Sequence, residues 1–224
     1  MCGRFSLTQP GQMMLRFGIE SAAPSGARYN VAPAQQIPVI IAGADGPVLQ
    51  MMRWGFEVEG VGPTPRPPLI NARAETVAEK PLFRRAFAHT RCLIPADGFY
   101  EWQEVSGQRS KQPFYIHRRD ETLFAFAGLY TAHAGRATVA IITTAPNAVV
   151  APIHDRMPVI LDADDDAFWL DPAVRAPEAL LPLLRPSPEG ELEAYPISSR
   201  ISSVRNEGLE IVRPLVAPAR TLFS

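Results

Sequence analysis

Proline does most to limit what this chain can fold into. There are 23 prolines in 224 residues. Each removes a backbone donor and fixes φ, which interrupts long helices and confines strands to edges, ends and bulges. The apolar residues accordingly fall in short runs between prolines and turn residues. Ile37–Ile41, Val48–Met52, Phe114–Ile116, Leu123–Phe126, Val139–Ile142 and Met157–Leu161 read as short strands. Asp120-Glu121, between two such runs, reads as a hairpin turn. Helical signals are fewer and shorter: Gln9–Phe17, and Val77–His89 with Phe83 and Phe87 on one face. A third is Asp164–Leu170, opened by acidic residues, and a fourth is Pro177–Leu184, opened by a proline. Gly60–Pro68 (GVGPTPRPP) is the one low-complexity stretch and reads as a surface loop. Strands and helices do not alternate as a doubly wound fold requires. The expectation is one α+β domain over residues 1–224, with a mostly antiparallel, barrel-like sheet core and a few short peripheral helices.

The bulk composition is globular, with 46% hydrophobic and 20% charged residues. Net charge is −1, so no global field attracts a polyanion, and any nucleic-acid contact needs a local basic surface. Of the 22 basic residues only Lys80 and Lys111 are lysines. Two cysteines, Cys2 and Cys92, make no disulfide framework, and no run reaches membrane-spanning length or resembles a signal peptide. A reducing, cytoplasmic setting follows, in which a thiol stays free. A monomer is the default.

Cys2 lies directly behind the initiator methionine. A small second residue permits removal of Met1, which would leave a thiol and a free α-amine on one carbon. That amine titrates at about 7.7–8.0, far below lysine. An aldehyde can capture such a 1,2-aminothiol first as an imine and then as a five-membered ring.

Three polar segments could accompany it. In an extended Asn71-Ala72-Arg73-Ala74-Glu75-Thr76, residues 71, 73 and 75 share a side; read alone, the segment fits a solvated edge strand running into a helix cap. Asp97-Gly98-Phe99-Tyr100-Glu101-Trp102 sets a carboxylate inside an aromatic strand, with Glu101 and Phe99 on one face. Glu101 either reaches solvent or lines a pocket, where apolar neighbours would raise its pKa towards that of a working acid or base. Pro152-Ile153-His154-Asp155-Arg156-Met157-Pro158 is held between prolines. If it is extended, His154 and Arg156 face one way, which suits an anionic ligand and proton transfer. His117 and His133 carry weaker signals, in a strand and a turn. His89 and Cys92 have a metal-like spacing, but no second pair completes four ligands, so no metal is assigned. The acidic run at Asp162, Asp164, Asp165 and Asp166 lacks the pattern of a calcium loop and fits helix capping.

Taken together these segments resemble the SRAP family, named for SOS-response-associated peptidases and regarded as abasic-site processing proteins. The resemblance rests on Cys2-Gly3-Arg4-Phe5, Tyr29-Asn30-Val31-Ala32-Pro33, Arg53-Trp54-Gly55 and the 71–76 segment. It continues through Arg91–Trp102, Ala127-Gly128-Leu129-Tyr130, Thr143-Thr144 and Ile153–Pro158, in family order across nearly the whole chain. After Gly55 the family usually continues towards a proline and a tryptophan, whereas this chain has Phe56 and the Pro-rich loop.

The resemblance implies binding of single-stranded DNA that contains an abasic site, and covalent linkage to it without a cofactor. Cys2 would attack C1′ with its amine and close a thiazolidine with its thiol. Asn71 would hold the Cys2 amine or the sugar, Glu101 would shuttle protons, and His154 would protonate the ring oxygen or the imine. A weak lyase activity would accompany the Schiff base. Arg4, Arg73 and Arg156 would clamp flanking phosphates, Trp54 would offer a stacking surface, and Thr143 would contact a phosphate. Two other readings use the same residues: an N-terminal-nucleophile cysteine peptidase that also removes Met1, and a non-catalytic single-strand-binding module.

Overall fold

A computed structural model describes residues 2–20, 26–57, 67–107, 109–133 and 135–215. Of the expected loop at Gly60–Pro68, all but the last two residues lie outside that range. The strands are β1 (Phe5–Leu7), β2 (Arg28–Val31), β3 (Gln36–Ala42), β4 (Pro47–Trp54), β5 (Asn71–Arg73), β6 (Arg91–Ala96) and β7 (Gly98–Gln103). They continue with β8 (Gln112–Arg118), β9 (Phe124–His133), β10 (Arg136–Thr144), β11 (Met157–Pro158), β12 (Ile160–Leu161) and β13 (Leu192–Pro196).

Five of them close a ring. β4, β3, β6, β9 and β10 pair in that order, each antiparallel to the next, and a short parallel pairing of β10 with β4 completes the circle. Closure removes the sheet edges that an open five-stranded sheet would expose. Alternation along each strand then fixes two faces. Ile37, Val39, Met52, Trp54, Cys92, Ile94, Phe126, Val139 and Ile141 fall in one buried cluster, the filled interior, and Cys2 and Phe5 join it. The opposite face, with the small Ala125, Ala127 and Ala140 beside Ile40 and Leu93, carries the helices. The α+β class, with a barrel-like antiparallel core and short peripheral helices, is therefore the observed one.

The second sheet runs β13-β8-β7-β1-β2, all antiparallel. β6 passes into β7 through the single residue Asp97, so one continuous extended segment leaves the barrel and enters the second sheet. Asp97 holds that crossing by accepting from Ser6 Oγ at 2.6 Å, Thr8 Oγ1 at 2.8 Å and the amides of Thr8 and Gln9. Residue 98 has to be glycine, because a Cβ there would lie 2.3 Å from the Tyr115 ring. The expected hairpin at Asp120-Glu121 is corrected by this topology: β8 pairs with β7 and β13, β9 pairs with β6 and β10, and the turn joins two sheets.

The helices are shorter than their sequence patterns, for local reasons. α1 (Met13–Phe17) follows a 3₁₀ turn at Pro10–Gln12 and stops at Gly18, whose φ of 63° ends it in the left-handed region. α2 (Pro81–His89) begins at Pro81 rather than Val77, because the residue before a proline avoids the helical region and Lys80 is extended. α3 (Asp166–Leu170) and α4 (Pro177–Leu180) each share their span with a 3₁₀ turn. Met157–Leu161 forms two two-residue strands, because it fills a fork where β9 and β10 diverge: β11 pairs with β10, and β12 pairs with β9. That wedge sets the preceding residues, 154–156, beside the end of β10.

Candidate active site

Cys2 extends β1. Phe5 lies opposite Phe99, and the Tyr100 amide donates to Arg4 O at 3.1 Å, so the same register carries Gly3 and Cys2 towards Glu101 and Trp102. Asn71 approaches from the barrel side. It opens β5, which pairs in parallel with β10 and is therefore not the solvated edge that its polar alternation suggests. Its Nδ2 donates to Cys2 O at 2.9 Å, and its Oδ1 is buried without a hydrogen-bond partner among the described residues. An orphaned buried acceptor costs about 1–3 kcal/mol, so Oδ1 is open to a donor.

Glu101 is 2% exposed. Burial pushes its carboxyl up to about 7. His154 follows a turn rather than an extended segment, and its Nε2 lies 3.8 Å from Glu101 Oε2. The Arg156 amide donates to His154 Nδ1 at 3.0 Å, so Nδ1 carries the lone pair and the ring proton sits on Nε2, facing Glu101. The Asp155 carboxylate also approaches Nδ1 at 3.0 Å, which would favour a charged ring. Burial works the other way and prevails, lowering the ring below its ordinary value, and the exposed Asp155 counts for less. The pair is therefore a neutral imidazole with its proton directed at a carboxyl that changes charge near neutral pH. Gln103 fixes the turn before His154 by donating to Pro152 O at 2.8 Å.

The Cys2 thiol is fully buried, and burial followed by the negative charge of Glu101 raises it far above the ordinary range. It rests as a thiol and not as a thiolate.

The basic residues divide. Arg73 is exposed and makes no hydrogen bond or ion pair among the described residues. Arg156 is held in a bidentate pair with Glu75, at 2.5 and 2.9 Å, and also donates to Thr143 O at 2.6 Å. Glu75, singled out in the sequence only by its alternation with Asn71 and Arg73, thus sets the direction of Arg156. Arg4 points its guanidinium at Asn30 Oδ1 (2.6 Å), Ile201 O (3.0 Å) and Ser202 O (3.3 Å), so it is occupied within the protein. Trp54 does not fit a stacking surface: it is 0% exposed, its Nε1 donates to Ile70 O at 2.9 Å, and it packs on Phe5. Thr143, 1% exposed with Oγ1 directed at Ala72 O, does not present a hydroxyl to a ligand either. The half-exposed indole beside the site is Trp102, the neighbour of Glu101, which donates to Ser202 Oγ at 3.2 Å.

Among the described residues no group of three or more His, Cys, Asp or Glu is placed to hold a metal ion, and no helix is long and apolar enough to cross a membrane. A cleft of about 750 Å³ between α2 and β9, lined in part by Phe56, Arg85, His89 and His133, shares none of the residues above.

Fold and site together define a small barrel whose second-residue cysteine is walled in by an asparagine, a carboxyl and an imidazole. The chain belongs to the SOS response associated peptidase (SRAP) family, whose model matches residues 1–204. It is 42% identical to the abasic site processing protein YoaM of Bacillus subtilis, over 95% of this chain and 97% of that one. It is 30% identical to the abasic site processing protein YedK of Escherichia coli, over 96% and 100%. A crystal structure of a protein from Bacteroides thetaiotaomicron superposes with a TM-score of 0.82 at 27% identity, covering 96% of this chain and all of that one.

Proposed function

We propose that this chain processes abasic sites by capturing the ring-opened sugar of single-stranded DNA on Cys2 after Met1 has been removed. The observation that carries the reading is the Glu101–His154 pair set against Cys2, with a proton available near neutral pH on the acid. The relatives named as abasic site processing proteins support the substrate class.

The order of events follows from the protonation states. The thiol is held neutral by burial, so the α-amine is the first nucleophile. It adds to the C1′ aldehyde to give a carbinolamine. Glu101, as the acid, gives its proton to the departing hydroxyl, and water leaves as the imine forms. The thiol then adds to the imine carbon while its proton passes to the nitrogen, and Glu101 carries that transfer. The sum is amine, thiol and aldehyde to thiazolidine and one water. In its protonated form His154 would give a proton to the sugar ring oxygen and take one back from the C1′ hydroxyl as the furanose opens. Asn71 holds the Cys2 carbonyl, and its Oδ1 is the acceptor for the freed α-amine.

In the peptidase reading the freed α-amine would have to draw the proton from its own thiol, and burial holds that thiol away from the thiolate form. To test the proposal, processed protein is mixed with single-stranded DNA bearing one abasic site and run on a denaturing gel. A shifted band that Cys2→Ala and a retained N-terminal extension both abolish is the expected result. A band that survives Cys2→Ala defeats the proposal.

A further inference from the structure

The C-terminal turn Ser198–Asn206 (SSRISSVRN) plays no part in the chemistry above, yet it is anchored by side chains that border it. Its carbonyls point inward. Ile201 O and Ser202 O accept from Arg4, and Ser203 O and Asn206 O accept from the fully buried Asn30 at 2.9 and 2.8 Å. Within the turn, Asn206 Nδ2 closes on Arg200 O at 2.6 Å, and Ser198 Oγ accepts from the Arg200 amide. With those carbonyls satisfied inside, the outer surface carries the donors Ser199, Arg200, Ser202, Ser203 and Arg205, all exposed, together with the exposed Val204. The nearby acids are Glu207, which is engaged by the Tyr29 amide, and Glu210, which lies 3.8 Å from Arg200 at a solvent-exposed contact of small energetic weight. Arg205 makes no ion pair among the described residues. The turn also adjoins the site directly, because Trp102 Nε1 donates to Ser202 Oγ and Trp102 follows Glu101 in β7.

We infer that this turn is a second contact surface for the DNA strand, taking phosphodiester groups on one side of the lesion through Arg200, Arg205 and the serine hydroxyls. The inference rests on the proposed capture of abasic DNA. It also reassigns Arg4, expected to clamp a phosphate, as the residue that positions the turn. A phosphate meeting this surface finds a turn backbone already held by Arg4 and Asn30, so only the donor side chains have to be ordered on binding. Arginine and hydroxyl groups that touch phosphate and no base position a strand without reading its sequence.

The test measures binding of single-stranded DNA carrying a non-reactive tetrahydrofuran abasic analogue, by fluorescence anisotropy over a range of salt. Each lost phosphate contact removes about 0.7 from the slope of log affinity against log salt for single strands. The double variant Arg200→Ala/Arg205→Ala should therefore lose about 1.4 of slope and bind severalfold more weakly. Lysine at both positions should keep the slope. Oligonucleotides truncated on one side of the analogue should abolish the difference between wild type and variant, and those truncated on the other side should preserve it. An alanine variant with the wild-type slope, or a difference indifferent to which side is cut, overturns the inference. Wild type that binds the analogue with this side dependence yet never crosslinks would defeat the proposed chemistry and leave the turn's role standing.

Discussion

Replacing Glu101 by glutamine should make the folded protein more stable above neutral pH and, at the same time, a poor crosslinker. Burial moves this carboxyl from 4.5 to about 7. The folded state thus holds the proton more tightly than the unfolded chain does, and stability falls as pH rises from about 4.5 through 7, then levels off. At about 1.4 kcal/mol for each tenfold change, ionising Glu101 in place costs the fold about 3 kcal/mol. Glutamine has nearly the same shape and carries no charge, so Glu101→Gln removes that penalty. Urea unfolding at pH 5, 6 and 8 measures it as the difference between variant and wild type, in which the other titrating groups cancel. The variant should lead by about 1 kcal/mol or less at pH 5 and by up to about 3 kcal/mol at pH 8, less the value of any hydrogen bond the carboxylate makes. General acid–base catalysis contributes about 10²–10⁴-fold, so crosslinking should slow by that order and lose its dependence on pH around 7. A variant that gains nothing between pH 5 and pH 8, or that crosslinks with the wild-type pH profile, refutes the assignment of Glu101 as a buried working acid.

Three further outcomes follow from the geometry. Asn71→Ala removes the hydrogen bond to Cys2 O, which should lower stability by about 1 kcal/mol and slow crosslinking, with analogue binding retained; thermal unfolding and the gel read the two effects. His154→Gln should slow adduct formation at least tenfold while non-covalent affinity stays within twofold, and the reverse pattern would place His154 in binding instead of proton transfer. Trp54→Ala should cost about 3–5 kcal/mol as a large-to-small core change, whereas Trp54→Phe should be milder and bind DNA normally. Selective loss of DNA affinity in a stable Trp54→Phe protein would return Trp54 to the binding surface.

Much of the secondary structure was legible because short apolar runs bounded by prolines leave few alternatives to short strands. Partnering was not. The Asp120-Glu121 turn has the chemistry of a hairpin, but a turn specifies only its own geometry, and β8 finds its second partner in β13, far along the chain. Closure of the ring through the parallel β4–β10 contact likewise leaves no local signal. In the site, the polar alternation at 71–75 and the carboxylate at 101 each fit a solvated strand as well as a pocket, and only the family resemblance groups them with Cys2. Residue type misled at Trp54 and Thr143, where the side chains turn into the protein. Alternation with the equally buried Met52 was a usable clue for Trp54. Arg4 misled differently: proximity to Cys2 in sequence suggested a phosphate clamp, but its partners are carbonyls about 200 residues away that no local pattern reveals.

In the proposed adduct the DNA is joined to the Cys2 amine and thiol together. Mass analysis of the N-terminal peptide, after nuclease trimming of the crosslinked DNA, tests it most directly. The expected product is a peptide that begins at Cys2, carries the trimmed abasic nucleotide with the loss of one water, and has no free thiol at residue 2. DNA attached to any other residue, or to a peptide that still contains Met1, would contradict it.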